Sequence, residues 1–248
     1  MENTRIASPT VGLALMASGI ALAAASILEF APGAIRGDGD NPEDSLNYLA
    51  QFGDFYLYSG LALALGGILL VVAVIGIYRM LSAASLAFTA SSAFGVLAGG
   101  FVAATGVMRM QATGTVPHIE SLSEAWGQAA YLAVQMAGTQ GLLSTGVIAL
   151  AGWLVAVALV LARHRLRVPA LLAVFPATAL LVLVSDLIFP SFADNAPDYI
   201  FLAYVAAAIL GMPACCVGFG ITLLFHRVRQ RLVYSGEKSQ ALPGTRER

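Results

Sequence analysis

Lysine is nearly missing from this 248-residue chain: Lys238, close to the C-terminal end, is the single one. A Schiff base within a membrane, such as retinal needs, therefore has no amine to form on. Cysteine is almost as scarce, with only Cys215 and Cys216, adjacent in an apolar stretch. Neighbours in sequence cannot staple separate segments together, so there is no disulfide framework. With no histidine or third cysteine near it in sequence, the pair reads as two small apolar residues packed in a helix rather than a soft-metal site. The histidines, His118, His164 and His226, fall in expected loops or at helix ends, which leaves no paired axial ligands for a buried haem. No His-Glu-x-x-His occurs for a zinc protease and no Gly-x-x-x-x-Gly-Lys for a nucleotide. Gly37-Asp38 lies in an expected loop, the wrong place for an intramembrane aspartyl protease. Charged residues make up only 11% of the chain, and no basic, aromatic-laced segment exists to bind nucleic acid. A non-enzymatic protein with no cofactor and no metal is expected.

What the chain has in excess is apolar residues, at 58%, and its mean hydropathy of +0.81 lies outside the soluble range. They come in blocks about as long as the roughly 20 residues that a helix needs to cross a bilayer. Blocks bounded by charge, proline or glycine predict helices over Pro9 to Phe30, Phe55 to Tyr78, Ser82 to Met108, Ala130 to Ala162, Val168 to Phe189 and Tyr199 to Phe225. The first of these carries Arg5 and the small residues Ala23 to Ser26, which loosely imitate a signal peptide. Its apolar run from Val11 to Leu28 is long for that role and is read as a membrane helix. Residues 1–234 are thus expected to form one all-α, polytopic helical bundle, and residues 235–248 a short disordered cytoplasmic tail.

The connections alternate in length. Arg79 to Leu81 and Arg163 to Arg167 are short; Ala31 to Asp54 and Arg109 to Ala129 are long. Three helical hairpins with their loops on one side follow. All but Arg36 and Arg109 of the 13 lysines and arginines fall on the opposite side, which the positive-inside rule makes cytoplasmic, with both chain ends there. The outer side is acidic, with Asp38, Asp40, Glu43, Asp44, Asp54, Glu120, Glu124, Asp194 and Asp198 in or beside its connections. A multi-pass protein of the bacterial plasma membrane is the expected setting, and the lipid bilayer its first partner.

Within the long connections, Asn41-Pro42 has the form of an N-cap followed by proline at the first helical position. Pro117 opens a segment in which Ser121 and Glu124 have capping-box spacing. From Ser121 to Ala162 there is no proline, so the fourth helix either rises above the bilayer or kinks near Gly138 and Gly141. Small residues recur every four positions, as in Ser91, Gly95, Gly99 and Ala103, or Ala62 and Gly66, or Ala214 and Gly218. Such stripes let helices approach closely, and they serve equally for packing within one bundle, for a homo-oligomer or for a protein partner.

The turn Leu161-Ala-Arg-His-Arg-Leu-Arg-Val-Pro-Ala-Leu-Leu, where a long helix meets a basic turn and a Pro-led helix, and the shorter turn Ile77-Tyr-Arg-Met-Leu resemble a known family. They look like the bacterial six-helix membrane proteins catalogued as a domain of unknown function. The resemblance implies a six-helix bundle and carries over no activity and no site residue.

Polar residues gather at the expected outer ends of the helices. Glu29 closes the first span, Asp54 opens the second, Arg109 closes the third, and Ser185 with Asp186 lies near the outer end of the fifth. Gln135, Thr139 and Gln140 join them from the fourth. Ionisable residues at membrane depth are costly and are functional candidates for that reason. One arginine among three carboxylates suits a cation or an amine, or else Arg109 merely bridges Glu29 or Asp186 and locks the bundle. Trp126, Tyr131, Tyr56, Tyr58, Tyr199 and Tyr204 are expected in the interfacial aromatic belt, and His118 in solvent. Two readings stand: a bundle that binds or transports a small ligand, lipid headgroup or cation at an outward-facing pocket, and an accessory subunit that docks another membrane protein.

Overall fold

Helix after helix runs past the ends that hydropathy assigns to it. The computed structural model describes residues 3–33, 42–81 and 86–163, together with 170–171, 173–174, 177, 211 and 213–224. All of these except Ser123 are helical. In order they form α1 (Asn3–Gly33), α2 (Pro42–Leu81), α3 (Leu86–Leu122), α4 (Glu124–Val134), a π-helical segment (Gln135–Leu143) and α5 (Ser144–Arg163), followed by α6 (Pro213–Leu224). Among the described residues, four stretches are long and apolar enough to span a bilayer: Pro9–Leu28, Gln51–Arg79, Phe88–Leu122 and Glu124–Ala162. The expected spans 168–189 and 199–225 fall largely outside the described residues, and the tail 235–248 wholly so.

These helices carry large aliphatic side chains on their outer faces as well as in the core. Leu13, Ile20 and Ile27 line the exposed side of α1, and Leu61, Leu65, Ile68, Val72 and Ile75 that of α2. Ser18, Ser59 and Thr105 are meanwhile buried. Large aliphatic stripes facing outward are stable against lipid and a liability in water. Hydroxyls turned inward avoid the hydrocarbon by bonding to backbone. Ser18 donates to the Gly66 carbonyl at 2.8 Å, and Thr105 to the Phe101 and Gly138 carbonyls at 3.0 and 3.2 Å. This is the signature of a membrane protein.

Neighbouring helices run antiparallel and touch through small residues. On α2 and α3, Gly60 meets Gly106 and Gly67 meets Gly99. A Cβ added to Gly60 would lie 2.7 Å from the Gly106 carbonyl oxygen, and one added to Gly99 would lie 2.7 Å from that of Gly67. No residue but glycine allows backbones so close. On α1 and α2, Val11 meets Gly76 and Leu22 meets Gly66. α6 lies along α1, with Gly220 against Gly12 and Pro213 with Cys216 against Gly19. Cys215 and Cys216 are free and buried there as small packing residues.

The four-residue stripes of the sequence are therefore only partly the contacts. Gly95 of the first stripe packs on Trp153 of α5 and Val74 of α2, while Gly99 packs on Gly67. Ala214 is exposed, and α6 instead presents Pro213, Cys216 and Gly220 to α1. One stripe cannot follow one partner over its full length because helices cross at an angle.

The long outer connections also differ from expectation. α2 begins at Pro42, in accord with proline at a first helical position, and bends at Phe52, whose φ and ψ of −124° and 22° are not helical. Residues 109–122, expected as loop, continue α3, and Pro117 lies inside it. Its turn comes at Ser123, in extended backbone ahead of α4. Ser121 lies inside α3 and donates its hydroxyl back to the His118 carbonyl at 2.6 Å, so it does not stand at the N-cap position that a capping box requires. Proline is tolerated because packing outweighs propensity. Ala112 and Val116 bury against Leu49, Tyr56 and Tyr131 in a small core of their own. The start of α2, the end of α3 and α4 thus make a three-helix head. Where the sequence offers a kink near Gly138 and Gly141, the helix takes π-helical form over Gln135–Leu143.

Candidate functional site

Arg109 lies 21 residues after Phe88 in α3, a rise of roughly 32 Å along the helix. Its guanidinium is turned inward and is only 2% exposed. Three residues after Gly106, it faces α2 one turn beyond the closest glycine contact. Its Nη1 donates to the Ser59 hydroxyl across a long 3.4 Å, and its central carbon lies 5.5 Å from the centre of the Tyr56 ring. The ring face is negative and complements the cation.

From Ser59 the layer passes to α1, because the hydroxyl donates to the Ala25 carbonyl at 3.3 Å. On the other flank, Thr105, one turn below Arg109 on α3, reaches the Gly138 carbonyl of the π segment. A π turn shifts backbone bonding from i−4 to i−5, and such turns recur at functional sites. At the outer start of this segment Gln135 is half-buried, and its amide donates to the Tyr131 hydroxyl at 2.7 Å. Four elements thus contribute polar groups at neighbouring levels: α1 through Ala25, α2 through Ser59 and Tyr56, α3 through Thr105 and Arg109, and the π segment with Gln135 and Gly138.

Of the residues expected at the site, Arg109 and Gln135 belong to this layer. Asp54 does not. It is exposed, and its place two residues from Tyr56 and five from Ser59 puts it on the other side of α2. Glu29 lies in α1 and Gln140 in the π segment, with side chains outside the described residues, as is that of Thr139. Ser185 and Asp186 lie outside them altogether. Tyr56 and Tyr131, expected in the aromatic belt, are instead buried to 5% and 6% exposure. Aromatic rings that pack and bond inside the head are not available to the interface. Tyr58 and Trp126 are exposed, while Tyr199 and Tyr204 lie outside the described residues.

Ser59, Thr105 and Tyr56 are members that the sequence reading missed. The available signal was a spacing of seven: Gly60 and Gly67 on one helix, Gly99 and Gly106 on the next. Pairing those glycines sets Arg109 opposite Ser59 and Tyr56.

Chemically, the layer offers a fixed positive charge, hydroxyl groups and an amide. No group of three or more His, Cys, Asp or Glu residues that could hold a metal occurs among the described residues. Comparison with known proteins adds no relative: no family model, no curated protein and no solved structure matches this chain.

Proposed function

We propose that this chain is a six-span protein of the bacterial plasma membrane that binds a small ligand, cation or lipid headgroup at its outer polar layer. The observation that carries the reading is the buried contact of Arg109 with Ser59 and Tyr56, with Thr105 bonded to Gly138 one turn below and half-buried Gln135 on the same π segment. With Asp54 turned away, the ionisable candidates are Glu29, Asp186 and Arg109; two carboxylates and one guanidinium leave a formal charge of −1. That balance suits a monovalent cation or a primary amine. The glycine-tight α1–α2–α3 block supplies a stiff wall, and the π segment a wall able to rearrange.

Binding by the purified protein in detergent is tested by melting-temperature shifts with sodium, potassium and ethanolamine as probes. A ligand at about 100 times its Kd contributes about 2.7 kcal/mol, which amounts to a rise of several degrees. The rise is expected in the parent and absent in Gln135→Leu. Equal behaviour of the two proteins with every probe overturns a site at this layer.

A second reading, an accessory subunit, is favoured by one observation: the α1–α2–α3 interfaces are closed at glycines, by backbone between α2 and α3 and by Val11 and Leu22 between α1 and α2, as in a scaffold. In that case no probe shifts the melting temperature, and cross-links to a partner map to the head.

The topology is three hairpins with both ends cytoplasmic. Arginines at the inner turns support it, as does the antiparallel run of α6 along α1, since crossings counted from α1 through α6 are then even in number. In a background with Cys215 and Cys216 replaced by alanine, Ser121→Cys should react with a membrane-impermeant maleimide in intact cells. Lys238→Cys should react only after lysis. Labelling at position 238 in intact cells would sink this topology.

A further inference from the structure

We infer that a cleft between α3 and α4 is a second site, one that holds the glycerol-ester region of an uncharged outer-leaflet glycerolipid. The inference rests on the membrane placement proposed above and not on any ligand at the Arg109 layer.

The cleft measures about 150 Å³ and is lined by Met108, Gln111, Ala112, Thr115, Val116, Ala130 and Val134. Cavities of this size take a guest of roughly benzene dimensions when their walls are apolar. Here the volume holds an ester group and the first methylenes of one chain, not a whole lipid. Met108 stands next to Arg109 at the hydrocarbon boundary, and Val116 is eight residues further out, a rise of about 12 Å. That interval is where lipid ester groups lie.

The lining decides the class of lipid. Its polar members, Gln111 and Thr115, are four residues apart on one face of α3 and offer neutral hydrogen-bonding groups. No charged residue is among the residues named for the cleft. Besides Arg109, which is buried against Ser59 and Tyr56 of α2, the charged or imidazole side chains described on the head are Glu120, Glu124, Asp54 and His118, a set dominated by carboxylates. A phosphate in the cleft would face acidic neighbours, whereas an ester or free hydroxyl is compatible with all of them. Diacylglycerol is the simplest lipid of that chemistry.

A path for the acyl chain leads down from the cleft. Gly100, Ala104, Val107, Gln111 and Thr115 fall on one face of α3 at intervals of four, three, four and four. Val107 is exposed, and a Cβ placed on Gly100 would meet no atom within 4 Å. Among the described residues nothing stands where a side chain at Gly100 would lie, and glycine lowers helix stability; a shallow furrow for an alkyl chain gives it a use. Met136 is exposed at the outer end of the adjoining π segment.

The test is native mass spectrometry of the purified protein titrated with dioleoylglycerol, with phosphatidylglycerol and phosphatidylcholine as comparison lipids. The parent should retain dioleoylglycerol at detergent ratios that strip both phospholipids. Ala130→Phe, which fills the cleft, should reduce retention about tenfold, and Gln111→Leu with Thr115→Val by a similar factor. The second variant alters exposed positions and keeps the fold if the first does not. Equal retention of the three lipids, or retention unchanged in the double variant, overturns the assignment and marks the bound lipid as annular. Cation-induced melting shifts should persist in the double variant, so failure here is separable from failure at the Arg109 layer.

Discussion

Gly67→Val is expected to lower the melting temperature of the purified protein by roughly 5–12 °C. A Cβ at this position would run into the Gly99 carbonyl oxygen and the Ala103 amide nitrogen. Both obstacles are backbone, so no side-chain rotation relieves the clash and α2 must move away from α3. Overpacking of this kind costs about 1–3 kcal/mol, and the upper part of the range applies where backbone must shift. Gly100→Ala is the matched control, because nothing stands within 4 Å of its added Cβ. That change should leave stability unaltered or raise it by about 0.5–1 kcal/mol through helix propensity. Both are read from thermal unfolding in detergent followed by monodispersity on gel filtration. If the two variants melt alike, the α2–α3 seam is not the contact that holds the bundle.

The same seam shows how much of the molecule could be read without coordinates. Spans were legible wherever hydropathy alone decides, as with Pro9–Leu28, whose start coincides with the expected Pro9. Ends were not legible where packing against another segment extends the helix. Nothing local marks residues 109–122 as helical, and Pro117 argues against it; the reason they continue α3 is Ala112 and Val116 burying on α2 and α4. Local chemistry likewise suggested a capping box at Ser121, and the observed turn sits at Ser123. For the site, Arg109 was visible as a rare charge at a span end. Its surroundings were not, because a search for small residues at intervals of four overlooks glycines spaced by seven on paired helices. Asp54 was misplaced for a related reason: its depth was judged from its distance along the chain, while its side of the helix depends on phase relative to Tyr56 and Ser59.

Arg109→Leu is expected to destabilise the protein by about 3–5 kcal/mol, the size of loss seen when one partner of a buried ion pair is removed. A guanidinium that is only 2% exposed is costly to bury without a counter-charge. Register points to Glu29 as the counter-charge. Ala25 of α1 receives the Ser59 hydroxyl that Arg109 also contacts, and Glu29 follows four residues later on the same face of α1. Glu29→Gln should therefore cost nearly as much as Arg109→Leu, and the double variant should be no worse than the poorer single one. Such non-additivity is the mark of a shared interaction. Asp186→Asn, in contrast, should add to Arg109→Leu independently and should diminish any cation-dependent stabilisation, since it removes charge while retaining shape. Coupling of Asp186 in place of Glu29 would move the ion pair to the expected fifth span and leave Glu29 as the carboxylate open to ligand. Coupling of neither would mean that Arg109 is held without a carboxylate, and the case for a cation at this layer would fall with it.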